Sequence, residues 1–288
     1  MKILRLAFIA ALSLQCVSAS AQNGVTISLV VGFKAGGTSS TSARIIAQAI
    51  EETTAHRVIV ENRPGATGLI AAEWVKRQKP DGRTLLFMSS ASSLSVPPSD
   101  ELIPVALIAT YDYFVVTGKD VSATLAGYFK AAKQNRSLQS VATSGAGGMS
   151  HLLGEKLFRD HNVPILHVPY LSSADAILTV LGGHVALAIV PYPDYIGYKG
   201  DNRLRVIAKT GESIAVEGWM GVFAPAKTSV EEIHRLSEMF RIAAEKSKKK
   251  LENAGFFVVW KGGNELRRLH ERDYADFLPE LTRLGIKP

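Results

Sequence analysis

Two short glycine-rich runs carry the features of this sequence best suited to chemistry. Phe33-Lys34-Ala35-Gly36-Gly37-Thr38-Ser39-Ser40 follows one apolar, β-branched stretch, and Thr143-Ser144-Gly145-Ala146-Gly147-Gly148-Met149-Ser150-His151 follows another. Each reads as a turn between a strand and a helix, with successive backbone N–H groups beside small hydroxyl side chains. Free amides and the helix dipole both favour negative charge, so such a turn binds an anion without a cationic side chain. Its glycines let the backbone come close to a ligand. Neither run is a dinucleotide fingerprint, because the G-x-G-x-x-G spacing fails after Gly32, and neither contains the Gly-Lys-Ser/Thr of a phosphate loop. One such turn alone is more often a tight, capped connection than a site. Two of them point to a shared anion site.

Enzyme templates fit poorly. No serine sits in a G-x-S-x-G elbow. The histidines are His56, His151, His161, His167, His184, His234 and His270, and no pair has the H-E-x-x-H spacing. His161 and His167, six apart, could share a metal, but chance explains that spacing better, and no metal or other cofactor is expected. His151, one turn into a helix behind a glycine run, reads as a supporting residue rather than a catalytic one. Glu51-Glu52 and Glu231-Glu232 read as exposed helix positions, not as an acid/base pair. Phe33, Tyr170 and Tyr192 could wall a pocket, although core packing is the commoner fate of such residues.

The elements that must position these runs follow from periodicity. Val25–Val31 is a buried strand, and Ala43, Ile46, Ala47 and Ile50 recur at helical spacing, with Thr38 or Ser39 as N-cap. Strand then alternates with helix: 58–62, a helix carrying Trp74 and Val75, and 84–90. Such alternation makes an α/β sheet with right-handed crossovers. Two adjacent apolar runs within 105–118, parted by Asp112, are long enough to travel between lobes. A second α/β series follows, with strands near 140, 166–168, 185–190 and 204–209, and 218–228 reads as the return crossing. Thr228 and Glu231 form a capping box for a long helix. The expectation is a two-lobed α/β fold, each lobe a mixed sheet flanked by helices. Residues 22–115 and 222–288 would build the first lobe, and 116–221 the second.

Composition fits this picture. Hydrophobic residues make up 47% of 288 and charged residues 20%, which excludes a disordered or collagen-like chain. Residues 1–21 have a basic start at Lys2 and Arg5, a short apolar middle and an Ala-Ser-Ala exit, the pattern of a secretory signal peptide. Cleavage after Ala21 removes Cys16 and takes the basic count from 33 to 31 against 26 acidic residues, so the formal charge falls from +7 to +5. A thiol mechanism is then excluded. Charges this mild and evenly spread give no footprint for nucleic acid.

At these motifs the chain resembles the Bug-type periplasmic solute-binding receptors of tripartite tricarboxylate transporters. The resemblance rests on Val60-Glu61-Asn62-Arg63-Pro64-Gly65-Ala66, Pro80-Asp81-Gly82-Arg83-Thr84-Leu85-Leu86, His167-Val168-Pro169-Tyr170 and Gly221–Thr228, in that order, together with both glycine runs. It implies a periplasmic-binding-protein fold closing on a small carboxylate. The implied ligand residues are Phe33, Ala35, Gly36, Gly37, Thr38, Ser39, Ser40, Ser89 and Ser90 on one lobe. On the other they are Ser144, Gly145, Gly147, Gly148, His151, Pro169 and Tyr170. The sequence departs from the family pattern at Ser40, Ala186 and Val190, where the family has acids, and at Leu171-Ser172. It is also short at 90–101 and 210–217. Ser40 removes an acceptor that could hold an amino or hydroxyl group of a ligand.

The function implied is an exported receptor, monomeric and without chemistry of its own. It would capture a small organic anion (a di- or tricarboxylate, an acidic amino acid or an aromatic acid) for membrane permease subunits. A ligand-sensing subunit for a membrane kinase, or a hydrolase acting on an acidic substrate, are the alternatives.

Overall fold

The computed structural model describes residues 24–210 and 216–286. Residues 1–21, expected to be a signal peptide, and positions 211–215 lie outside the described residues.

β1 (Thr26–Val31) buries Ile27, Leu29 and Val31 on one face and Val30 on the other, all fully. That is the expected fate of an interior strand with helices on both sides. After the first glycine loop, α1 (Thr38–Thr53) buries Ala43, Ile46, Ala47 and Ile50 along one stripe. Its N-cap is Gly37 rather than Thr38 or Ser39, and no side chain caps it. The glycine takes the extended N-cap conformation, which moves both hydroxyl residues into the first turn.

β2 (Arg57–Asn62), α2 (Leu69–Lys76) and β3 (Thr84–Ser89) complete a parallel core in which β1 pairs with both β2 and β3. β4 (Leu102–Tyr111), β10 (Gly218–Pro225) and β11 (Phe257–Gly262) extend this sheet antiparallel, in the order β11-β4-β10-β3-β1-β2. The second sheet, β7-β6-β8-β5-β9, comprises β5 (Tyr113–Gly118), β6 (Ser140–Thr143), β7 (Leu166–Pro169), β8 (Leu187–Pro191) and β9 (Leu204–Lys209). Its helices are α3 (Leu125–Ala132), α4 (Met149–Asp160), α5 (Ser173–Leu181) and the single turn α6 (Tyr192–Tyr195). α7 (Val230–Asn253) and α8 (Gly263–Arg283) return to the first sheet. Ser229, not Thr228, caps α7 by accepting from Glu232 N–H, while the Thr228 hydroxyl donates to Pro225 O.

The fold is therefore two mixed sheets, each flanked by helices. The chain changes sheet at Asp112, the one residue between β4 and β5, and returns between β9 and β10. Thr210 fastens the two crossings together. Its N–H donates to Tyr113 O at 3.0 Å, and its hydroxyl accepts from Tyr113 N–H at 2.9 Å and donates to Asp112 Oδ1 at 3.2 Å.

Candidate functional site

In open α/β sheets the loops leaving the carboxyl ends of the parallel strands gather at one edge and form the binding crevice. Here β1, β3, β6 and β8 deliver Phe33–Gly37, Ser90–Ser92, Ser144–Gly148 and α6 to such an edge. The first loop runs tightly against its neighbour, since a Cβ on Gly32 would meet Gly68 Cα at 2.5 Å. Asn62 Nδ2 donates to Phe33 O at 2.8 Å and holds the loop from below. With glycine at the N-cap, the N-cap residue offers no side chain to the leading N–H groups of α1, which also have no intrahelical carbonyl. Ser39 Oγ donates to Ser89 Oγ, and Ser42 Oγ donates to Thr38 O. Thr38 is 8% exposed, and its hydroxyl has no hydrogen-bond partner.

The second loop is braced by histidines. Thr143 Oγ1 donates to Gly145 O, so it accepts from His167 Nε2–H at 2.6 Å. His151 Nδ1 accepts from Gly147 N–H at 3.0 Å, which leaves the ring proton on Nε2, 3.5 Å from Glu155 Oε1. Burial lowers the pKa of both rings. For His151 the Glu155 carboxylate pulls the other way, and His167 is taken to about 4, its neighbour His151 adding to the effect. Gly148, again without a side-chain cap, starts α4. Across the cleft, Thr67 Oγ1 donates to Ala146 O at 3.1 Å and so links the two lobes at the loop tips.

Between the loops lies a cavity of about 50 Å³. Its polar wall includes Lys34, Thr38, Ser39, Ser89, Ser144, Ser173 and Asp194. Depressions of about 440 Å³, beside Lys34, Thr67 and Tyr170, and about 460 Å³, beside Gly36, Ser172 and Tyr198, flank it. Burial raises the Asp194 pKa, while the hydroxyls of Thr38 and Ser173 and the Thr38 N–H favour its ionised form. These donors face the carboxyl without closing on it. A larger hollow of about 590 Å³ beside the C-terminal half of α4 is lined by Lys156, Arg159, Asp160 and Glu280, and neither glycine loop contributes to it.

Of the residues singled out in the sequence, Phe33, Ala35, Gly37, Thr38, Ser39, Ser89 and Ser144 meet at the small cavity. Gly36 lines one flanking depression, and Gly145, Pro169 and Tyr170 line the other. The remaining five stand off these walls. Ser40 is fully buried and turned toward Asn62 Oδ1, so the absence of an acid there leaves the cavity wall unaltered. The Ser90 hydroxyl joins Tyr111 and Tyr113 and accepts from Trp219 N–H. Gly147 and His151 support the second loop from behind, and Gly148 packs against Thr67 and Ala91 of the other lobe. Val190 lies in the apolar core of the second lobe.

Among the polar wall residues, sequence reasoning missed Lys34, Tyr111, Ser172, Ser173 and Asp194. The signal for Asp194 was its place just past the apolar run 187–191, at the carboxyl end of a strand. Pro191 and Pro193 there mark the turn.

Residues 42–276 match the tripartite tricarboxylate transporter family receptor. The chain belongs to that family. The receptor is 29% identical to the protein BugT of Bordetella pertussis, over 67% of this chain and 62% of BugT. Among solved structures it superposes on the periplasmic binding protein BugD with a TM-score of 0.81 at 23% identity, covering 91% of this chain and 98% of that one. It also superposes on an R. palustris protein solved with adipate, with a TM-score of 0.82 at 24% identity over 92% and 98% of the two chains. At these identities the structural likeness speaks for the fold. The family match supplies the class: a solute-binding receptor rather than an enzyme.

Proposed function

We propose that this receptor, exported by its leader and acting in the periplasm as a monomer, captures a small carboxylate between its lobes. It would then pass the ligand to the membrane subunits of a tripartite transporter. The observation carrying the reading is the N-terminus of α1, capped by a glycine that offers no side chain, with Thr38 lining a cavity walled by serines of both lobes. Fixed N–H and O–H donors in a water-poor cleft stabilise an anion at little reorganisation cost. The R. palustris neighbour solved with adipate agrees in ligand chemistry. Opening of the lobes about the crossings at Asp112 and Thr210 would admit the ligand, since the cavity is too small to admit one as it stands.

A thermal-shift screen of the mature protein against carboxylates tests this. A ligand at 100 times its Kd stabilises the native state by about 2.7 kcal/mol, a rise of several degrees in a chain of this size. Absence of a shift with every carboxylate, beside turnover of an ester or amide, would overturn the reading.

A further inference from the structure

Asp194 and Lys34 are the only charged side chains among the described residues lining the cavity and its two flanking depressions. They stand at different places. Asp194 borders the cavity and the depression beside Ser172, and Lys34 borders the cavity and the depression beside Tyr170. Asp194 is also held in place. Pro191 and Pro193 fix the backbone of α6, Tyr192 N–H donates to Asp112 O at 2.7 Å, and the Tyr192 ring stacks on Phe114 at 4.7 Å. Among the described residues no cation pairs with its carboxyl, and the groups that favour its charge are the hydroxyls of Thr38 and Ser173 and the Thr38 N–H.

A carboxylate of the chain itself therefore stands at the α1 end of the cleft, where the family resemblance places the carboxylate of the ligand. A ligand bearing only negative groups would set like charge against like charge there, in a site with little water to screen it. A ligand with its carboxylate on the N–H groups of the first glycine loop and α1, beside Lys34 and Ser144, and an ammonium group against Asp194 would meet complementary groups at both.

We propose that Asp194 is the specificity-determining residue of this receptor, and that it selects carboxylates carrying an ammonium group over their deaminated counterparts. The inference rests on the receptor reading above and adds which carboxylates are taken.

The test is calorimetric titration of the full mature chain with matched pairs: L-aspartate and succinate, L-glutamate and glutarate, L-alanine and propionate. In the pairs that bind, the amino-bearing member binds at least about tenfold more tightly. Asp194→Asn removes that preference, weakening the amino acid while leaving the deaminated acid unchanged or tighter. A deaminated acid that binds the wild-type protein as well as its partner, or a preference that survives Asp194→Asn, overturns the inference and leaves the receptor reading standing. If no member of any pair binds, the inference falls, and if a wider carboxylate panel also fails, the receptor reading falls with it. The wild-type comparison decides the matter even where the variant fails to fold.

Discussion

His151 and His167 stack face to face behind the second glycine loop, ring centres 3.6 Å apart and planes inclined by 17°. Each ring holds one point of the loop, His167 through Thr143 and His151 through Gly147. The contact is compatible with neutral imidazoles. Protonating either ring sets a cation against its neighbour, and protonation at His151 Nδ1 also removes the acceptor for Gly147 N–H.

That pair makes stability depend on acid. Both rings titrate below the ordinary histidine value in the folded protein, His167 at about 4. Between pH 6.5 and 4 the unfolded chain therefore binds protons that the native chain refuses. Their contribution is complete above about pH 6.5 and is lost as pH falls toward 4. His56 and His270 are shifted the same way, so the pair is isolated by a difference. His167→Gln keeps an N–H donor for Thr143 and deletes one titration. Its fall in Tm between pH 7 and pH 4 is expected to be smaller than that of wild type by a few degrees. Equal falls would show that folded His167 binds protons as the unfolded chain does, with no depressed pKa.

Much of this architecture was legible in the sequence because it rests on local periodicity. The β-branched run at 26–31, the helical stripe Ala43, Ile46, Ala47 and Ile50, and the turn chemistry of the glycine runs each encode one element and its buried face. The cleft wall was legible wherever it is backbone or loop, as at Gly37 and Ser144. What stayed hidden depends on side-chain direction across long separations. Ser90 follows a strand that ends at the cleft, yet its hydroxyl turns inward to Tyr111, Tyr113 and Trp219, a grouping set by the meeting of β3, β4 and β10. Ser40 is one helical residue past Ser39, and that rotation of about 100° is enough to turn it from Ser89 to Asn62. Asp194 faces Thr38 only because the two lobes meet.

Gly37 separates a role in binding from a role in folding. Its φ of −83° suits any residue, and the nearest atom to an added Cβ is Lys34 O at 3.8 Å, so a side chain there fits the backbone and projects into open space. Gly37→Val should keep Tm within about 2 °C of wild type while weakening carboxylate binding at least about tenfold. Gly68→Ala is the contrast, since φ is +94° and the new Cβ would meet Ser92 Oγ at 2.4 Å; it should lower Tm. If Gly37→Val bound normally, the α1 terminus would not be where ligand sits.

The lobes also meet through charge. Arg283 of α8 donates to Glu155 of α4 at 3.0 Å and to Glu280 at 2.6 Å, and Arg159 of α4 reaches the same Glu280. Burial works against the Glu280 charge, but Arg283 and Arg159 outweigh it and hold its pKa below the ordinary carboxylate value. Because Arg283 is half exposed, the Arg283–Glu155 pair is expected to couple by about 1 kcal/mol. A cycle of Arg283→Met, Glu155→Gln and the double variant, read by urea denaturation, measures it. Strict additivity would mean that this contact does not help hold the lobes together.

Thr210 is where hinge and stability coincide. It is 2% exposed, and one hydroxyl both accepts from Tyr113 N–H on the outgoing crossing and donates to Asp112. Thr210→Val preserves the shape and leaves the buried Tyr113 N–H without its side-chain acceptor, a loss of about 1–3 kcal/mol. The crossings are then tied by the backbone bond from Thr210 N–H to Tyr113 O without the side chain's contribution. Two readouts should move together: a lower urea midpoint, and a larger radius of gyration by solution scattering in the ligand-free protein, as open arrangements gain population. Saturating ligand should restore the wild-type radius, because binding between the lobes favours the closed arrangement. A variant destabilised to the stated extent but unchanged in radius would place the hydroxyl in local folding alone and put the bending point elsewhere along the crossings.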